Sequence, residues 1–200
     1  MPILSACAPK MSTKLAEFPL MYEERPVSIL ILPPINETTA ADAKEYYSTT
    51  IQEPLAFTGY YTFPYPITSE ILKMEGIYDT ELLVNLPLSK FKEYFGADAV
   101  LFTTIKKWDL SYMVLASTLT VSIDCKLKST TSNQTLWKYK GTVIVDLSGG
   151  NAGGGLAGPY ARQANYRALS SMPYGKYHSE HNKDQQVQFI DQTPEANKTD

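Results

Sequence analysis

A chain of 200 residues, 44% of them apolar, suits one domain plus tails. Its 18 Lys and Arg against 21 Asp and Glu give a net charge of −3 without long runs of either sign. That balance argues against a nucleic acid partner, because phosphate binding draws on a clustered basic surface and no basic stripe is visible. The longest apolar runs, such as Val27 to Leu32, are far shorter than the roughly 20 residues of a spanning helix.

In chain order, the first informative residues are Leu4-Ser5-Ala6-Cys7, which fit the lipobox of bacterial lipoproteins. An aliphatic residue, two small ones and a cysteine let the processing enzymes seat an extended chain beside the thiol that becomes a thioether. Cys7 is therefore the expected lipidation site, and residues 1–7 read as the remnant of a lipoprotein signal. The Ser, Thr, Pro and Lys residues that follow suggest a polar tether over 8–26. A single α/β domain is expected over 27–177, and a polar tail over 178–200.

Val27 to Leu32 is a nearly continuous aliphatic run stopped by Pro33-Pro34, as in a strand covered on both faces. Thr39 and Asp42 suggest a capping box before a helix that carries Tyr47, Ile51 and Leu55, which Pro54 should kink or split and Gly59 should end. Tyr60 to Pro64 reads as a strand that its prolines confine to an edge. Short helices are predicted over Ser69 to Glu75 and around Leu88, Phe91 and Phe95, the latter closed by Gly96.

Strands are predicted over Ala99 to Lys107, Met113 to Leu127 and from Leu136 through Val145, with Ser129 to Thr135 as a polar turn. Strict alternation puts Cys125 on the inward face with Val121 and Ile123, as a small core residue rather than a nucleophile. Residues 148–158 read as a Gly-rich loop, and Tyr160 to Ser171 as a last helix. Alternating βα units first and antiparallel hairpins after imply a mixed, three-layer-like sheet with helices packed on it.

Chemistry-bearing motifs are few. Gly153 to Gly158 fits G-x-G-x-x-G but lies outside the first βαβ turn that a dinucleotide site requires, so it reads as a flexible loop. His178 and His181, the only two histidines, are weak metal candidates in a polar tail, where fixed coordination geometry is hard to achieve. No nucleophile elbow or phosphate loop occurs, and neither enzyme activity nor a cofactor is expected.

Ser28 to Glu37, Glu53-Pro54-Leu55, Gly59-Tyr60-Tyr61, Phe95-Gly96-Ala97-Asp98-Ala99 and Leu136-Trp137 together resemble the GNA-type family of bacterial lipoproteins. The resemblance implies a fold like the amino-terminal domain of TolB, shared with the curli-pore lipoprotein CsgG and the penicillin-binding-protein activator LpoB. It also implies action through binding other envelope proteins, including a CsgG-like lipoprotein. The chain departs from the pore-forming relative in showing no pair of long alternating strands for a membrane barrel, so a pore of that kind is not expected of it alone.

Ala8 rather than Asp after Cys7, by resemblance to enterobacterial lipoproteins, implies sorting to the outer membrane with the domain facing the periplasm. The expectation is thus a lipid-anchored interaction module serving as an accessory subunit of an envelope assembly. Two alternatives stand beside it: an LpoB-like activator of peptidoglycan synthesis, which a short tether disfavours, and a small-ligand or metal binder.

Overall fold

The computed structural model describes residues 11–78, 80–112, 117–146, 157–183 and 188–190. The aliphatic run becomes β2 (Ser28–Ile31), an interior strand of a six-stranded mixed sheet. It pairs in parallel with β4 (Tyr61–Thr62) at one edge and with β5 (Ala99–Tyr112) on the other side. The short β3 (Ile35–Asn36) also pairs in parallel with β5, farther along the same strand. From β5 the sheet continues antiparallel through β6 (Ser117–Ser129) to β7 (Thr135–Asp146).

Helices cover the parallel end on both faces. One face packs Ile29, Ile31, Leu101 and Ile105 against α3 (Ala43–Thr50), α4 (Gln52–Phe57) and α8 (Ala157–Leu169). The other packs Leu30, Leu32 and Val100 against α5 (Tyr65–Met74), α6 (Thr80–Asn85) and α7 (Leu88–Phe95). Two-sided cover is why β2 reads as an unbroken aliphatic run, whereas β6 alternates: only one of its faces is covered. The mixed three-layer sheet expected from the sequence is the observed one.

Local chemistry sets the boundaries. Pro54 separates α3 from α4 as expected, and Gly96 ends α7 at φ +68°, a left-handed position that favours glycine. Two residues on, Asp98 clasps the start of β2: its Oδ2 accepts from the Val27 and Ser28 N–H groups, both at 3.1 Å, and from Ser28 Oγ at 3.0 Å. The Asp98 N–H donates back to Ser28 Oγ at 3.0 Å. The Thr130 hydroxyl closes the far turn by donating to the Ala97 carbonyl at 2.7 Å.

Several expectations are corrected. The tether over 8–26 does not extend to 26: β1 (Met11–Thr13) is followed by α1 (Lys14–Glu17) and α2 (Pro19–Glu24), and Phe18 and Met21 lie in the core at 6% and 3% exposure. Lys14 is buried, with its ammonium donating to the Met172 carbonyl at 2.8 Å and lying 4.1 Å above the centre of the Tyr174 ring. The Ser/Thr/Lys composition of this segment hid an anchor made by one aromatic, one Met and one buried lysine whose ammonium is satisfied inside the fold.

The capping box does not form: the helix begins only at Ala43, so Asp42 stands at its N-cap, without a side-chain cap hydrogen bond, rather than inside its first turn. The meander strands run to 14, 13 and 12 residues: β5 and β7 are longer than predicted, whereas β6 is shorter than the predicted Met113 to Leu127 and ends two residues later. Helix α6 was not foreseen.

The tail is also partly folded. Gly175 N–H donates to the Thr58 carbonyl at 2.7 Å and Tyr177 N–H to the Gly59 carbonyl at 3.0 Å. Gly59 has φ +90°, and a Cβ there would collide with the His178 backbone, so the Gly59-Tyr60-Tyr61 motif is where this segment docks. β8 (Gln188–Ile190) returns to pair with β1.

Candidate functional site

The pleat of the β5-β6-β7 meander divides its side chains into two populations. Ile105, Val121, Ile123, Cys125, Leu127, Trp137 and Val143 face the helices and are buried. Among the described residues no helix lies against the β6-β7 half of the opposite face, which carries the polar residues.

Register gathers the lysines on that open face. Asp124 lies opposite Lys140 and Lys126 opposite Lys138, and Lys128 follows on the same side of β6. A bulge in β5 pairs Ile105 with Ile123 but Lys107 with Ser122, so Lys106 and Lys107 both come out on the open side. Lysines that are dispersed in sequence thus form one patch, correcting the expectation that the chain lacks a basic surface. The available signal was the period-two spacing of Asp124, Lys126 and Lys128 and of Lys138 and Lys140.

Three of these lysines are paired with carboxylates and, among the described residues, three are not. Lys106 holds Glu37 at 2.6 Å, Lys107 holds Asp109 at 3.3 Å, and Lys140 holds Asp124 at 3.0 Å. Glu37 raises the Lys106 ammonium pKa above its ordinary value, chiefly through their hydrogen bond. Among the described residues no carboxylate pairs with Lys126, Lys128 or Lys138. The Lys128 ammonium lies 5.7 Å from the centre of the Phe102 ring.

Where the open face meets α6 there is a cavity of about 370 Å³. Leu32, Pro33, Ile35, Leu83, Val84 and Phe102 make its apolar wall, and Lys106, Lys126, Lys128, Lys140 and Asp124 its polar rim. Val84 is half exposed there. An apolar wall facing a row of cations can hold an anionic group that carries a hydrocarbon portion.

The other sequence candidates are not brought to this site. Cys7 lies outside the described residues, as do residues 148–156 of the Gly-rich loop, while Ala157 and Gly158 open α8. Cys125 is buried and free, and burial pushes its thiol up to about 12. It sits 3.7 Å from the Thr103 hydroxyl, which is 2.7 Å from the Tyr47 hydroxyl, a polar cluster sealed inside the core.

His178 stacks on Tyr174, with centroids 3.7 Å apart and planes 10° from parallel, and its Nδ1 accepts from the Glu180 N–H at 3.0 Å. His181 Nδ1 is 2.8 Å from the Tyr174 carbonyl oxygen. The two rings thus fasten a turn, and among the described residues no cluster of three metal-ligating side chains occurs.

Comparison with known proteins gives concordant results. A protein of Neisseria meningitidis serogroup B, named as a putative lipoprotein, is 30% identical over 155 residues, covering 78% of this chain and 71% of its own. The crystal structure of lipoprotein GNA1162 from N. meningitidis superposes with a TM-score of 0.59 at 28% identity, covering 72% of this chain and 99% of that one. The PelC dodecamer from Paraburkholderia phytofirmans shares the fold, with a TM-score of 0.53 at 14% identity over 82% of this chain and 95% of its own. The family model for the "Putative lipoprotein GNA1162-like" group matches residues 17–172, and the chain belongs to that family.

Proposed function

We propose that this chain is lipidated on Cys7, sits on the periplasmic side of the outer membrane, and works as a docking module for an acidic surface of another envelope protein. The observation that carries this reading is the open face of the meander, where Lys126, Lys128 and Lys138 have no carboxylate partner among the described residues. A row of unneutralised cations on a rigid sheet steers and orients an acidic partner. Membership of a lipoprotein family supports the anchor.

The folded amino-terminal segment bears on the choice of partner. Lys14 is fixed to the core, so only six residues separate it from Cys7, and the seven steps between them reach about 25 Å when fully extended. An anchored domain would stay close to its own membrane. This favours a partner in the same membrane over a distant synthase.

The experiment is expression from the complete natural gene, with mass spectrometry of the amino-terminal peptide and a photo-cross-linker at position 138. Expected are diacylglyceryl-modified Cys7, release of Cys7→Ala into the soluble periplasm, and an adduct with an envelope protein that Lys126→Glu reduces. An unmodified thiol, or an adduct indifferent to Lys126→Glu, would overturn the reading.

A further inference from the structure

We infer that the cavity between the open sheet face and α6 is a binding site for an amphiphilic anion, a phosphate or carboxylate head carrying a short hydrocarbon portion. The proposal rests on reading the lysine face as a binding surface, and it assigns a ligand class to one part of it.

The argument begins with the two halves of the cavity. Leu83 and Val84 from α6 face Pro33 and Ile35 from the segment after β2, making a hydrocarbon wall that stays partly open, with Val84 50% exposed. An apolar surface of this kind gains from being covered. Opposite it, Lys126 and Lys128 have no carboxylate partner among the described residues, while Asp124, the rim carboxylate, is engaged by Lys140 at 3.0 Å. The net charge left on the rim is positive.

Neither half alone explains the site. A bare phosphate would leave the wall wet, and a purely apolar ligand would have to sit beside ammonium groups that demand water or an anion. A volume of about 370 Å³ matches a small molecule or a lipid headgroup with its first methylenes. Nucleic acid fits less well, because the one aromatic ring at the site, Phe102, lies under Lys128 rather than open for base stacking.

The test is calorimetric titration of the full unlipidated chain with hexyl phosphate, inorganic phosphate and hexanol at low salt. Hexyl phosphate is expected to bind at least about tenfold more tightly than inorganic phosphate, the gain from burying a few methylenes. Added salt should weaken it. Lys126→Ala with Lys128→Ala should cost about tenfold or more, and the neutral Val84→Ser should weaken hexyl phosphate more than inorganic phosphate and so narrow the ratio between them, with circular dichroism verifying that each variant is folded.

Equal binding of hexyl and inorganic phosphate, or a double lysine variant that binds as tightly as the parent, would overturn the proposal. So would displacement of hexyl phosphate by a short single-stranded oligonucleotide at lower concentration than hexyl phosphate itself. Co-sedimentation with phosphatidylglycerol vesicles but not phosphatidylcholine vesicles would identify the source as a membrane headgroup; binding of hexyl phosphate without vesicle binding would identify a soluble anion. The docking reading fails separately, since it is tested by the position-138 adduct and by Cys7 lipidation rather than by alkyl phosphate.

Discussion

Lys126 on β6 stands directly opposite Lys138 on β7, two like charges facing each other across an antiparallel ladder. Such a pair costs stability, about 0.2–1 kcal/mol relative to a neutral or opposite-charge pair. Lys138→Glu is therefore expected to raise stability by up to about 1 kcal/mol in urea denaturation while lowering the yield of partner adduct from a cross-linker at position 140. A variant that is both less stable and undiminished in adduct formation would refute the view that this face is shaped for binding rather than for folding.

The amino-terminal segment gives a second, opposite expectation. Phe18 packs beside Trp137, with ring centres 6.5 Å apart, and is 6% exposed. Phe18→Ala should cost about 3–5 kcal/mol, the range for truncating a buried aromatic, and deletion of residues 1–26 should cost at least as much. Thermal and urea unfolding of the two variants measure this. A deletion variant as stable as the parent would restore the segment to a mere tether.

How much of this was readable beforehand depends on whether the cause is local. The run Val27 to Leu32, the proline split at Pro54 and the glycine stop at Gly96 are local rules, and each element stands where its residues require. The family motifs carried the fold because Ser28, Gly59 and Asp98 hold chain crossings together. The lysine patch was legible only strand by strand, in the period-two spacing on β6 and β7: as one surface it exists only once register aligns β6 with β7 and the bulge turns Lys106 and Lys107 to the same side. Likewise the anchoring of Lys14 needs Met172, 158 positions away, which no window of the sequence connects.

Cys125 provides a third prediction. With its thiol pushed up to about 12 by burial and its exposure at 2%, it is expected to resist iodoacetamide at pH 8 in the folded chain and to react promptly once unfolded by urea. Tyr47→Phe removes a hydroxyl 2.7 Å from that of Thr103 inside the same cluster. It should destabilise by about 1–2 kcal/mol, the cost of leaving a buried polar group with a poorer partner, and should shorten the protection of Cys125. Labelling of native Cys125 at the rate of a free thiol would show that the cluster opens without global unfolding.

The last prediction concerns acid stability and Asp98. Burial pushes its carboxyl up, but the Lys92 ammonium at 2.8 Å and the hydrogen bonds from Val27 and Ser28 outweigh that, leaving it below its ordinary value of 3.8. A carboxyl lowered by folding adds stability that is complete above its unfolded value and disappears as pH falls through its folded one. The Asp98 side chain is 35% exposed, so solvent screening limits the effect, and Asp98→Asn should cost about 1–2 kcal/mol at pH 7. As pH falls below the ordinary value of 3.8 and toward the lowered folded one, the difference between Asp98→Asn and the parent should shrink, because the parent's carboxyl is then itself being neutralised. Urea denaturation at pH 7, 5, 4 and 3 reads the difference directly. A gap that stays constant across the series would mean that the clasp at the start of β2 acts through shape alone, without its charge.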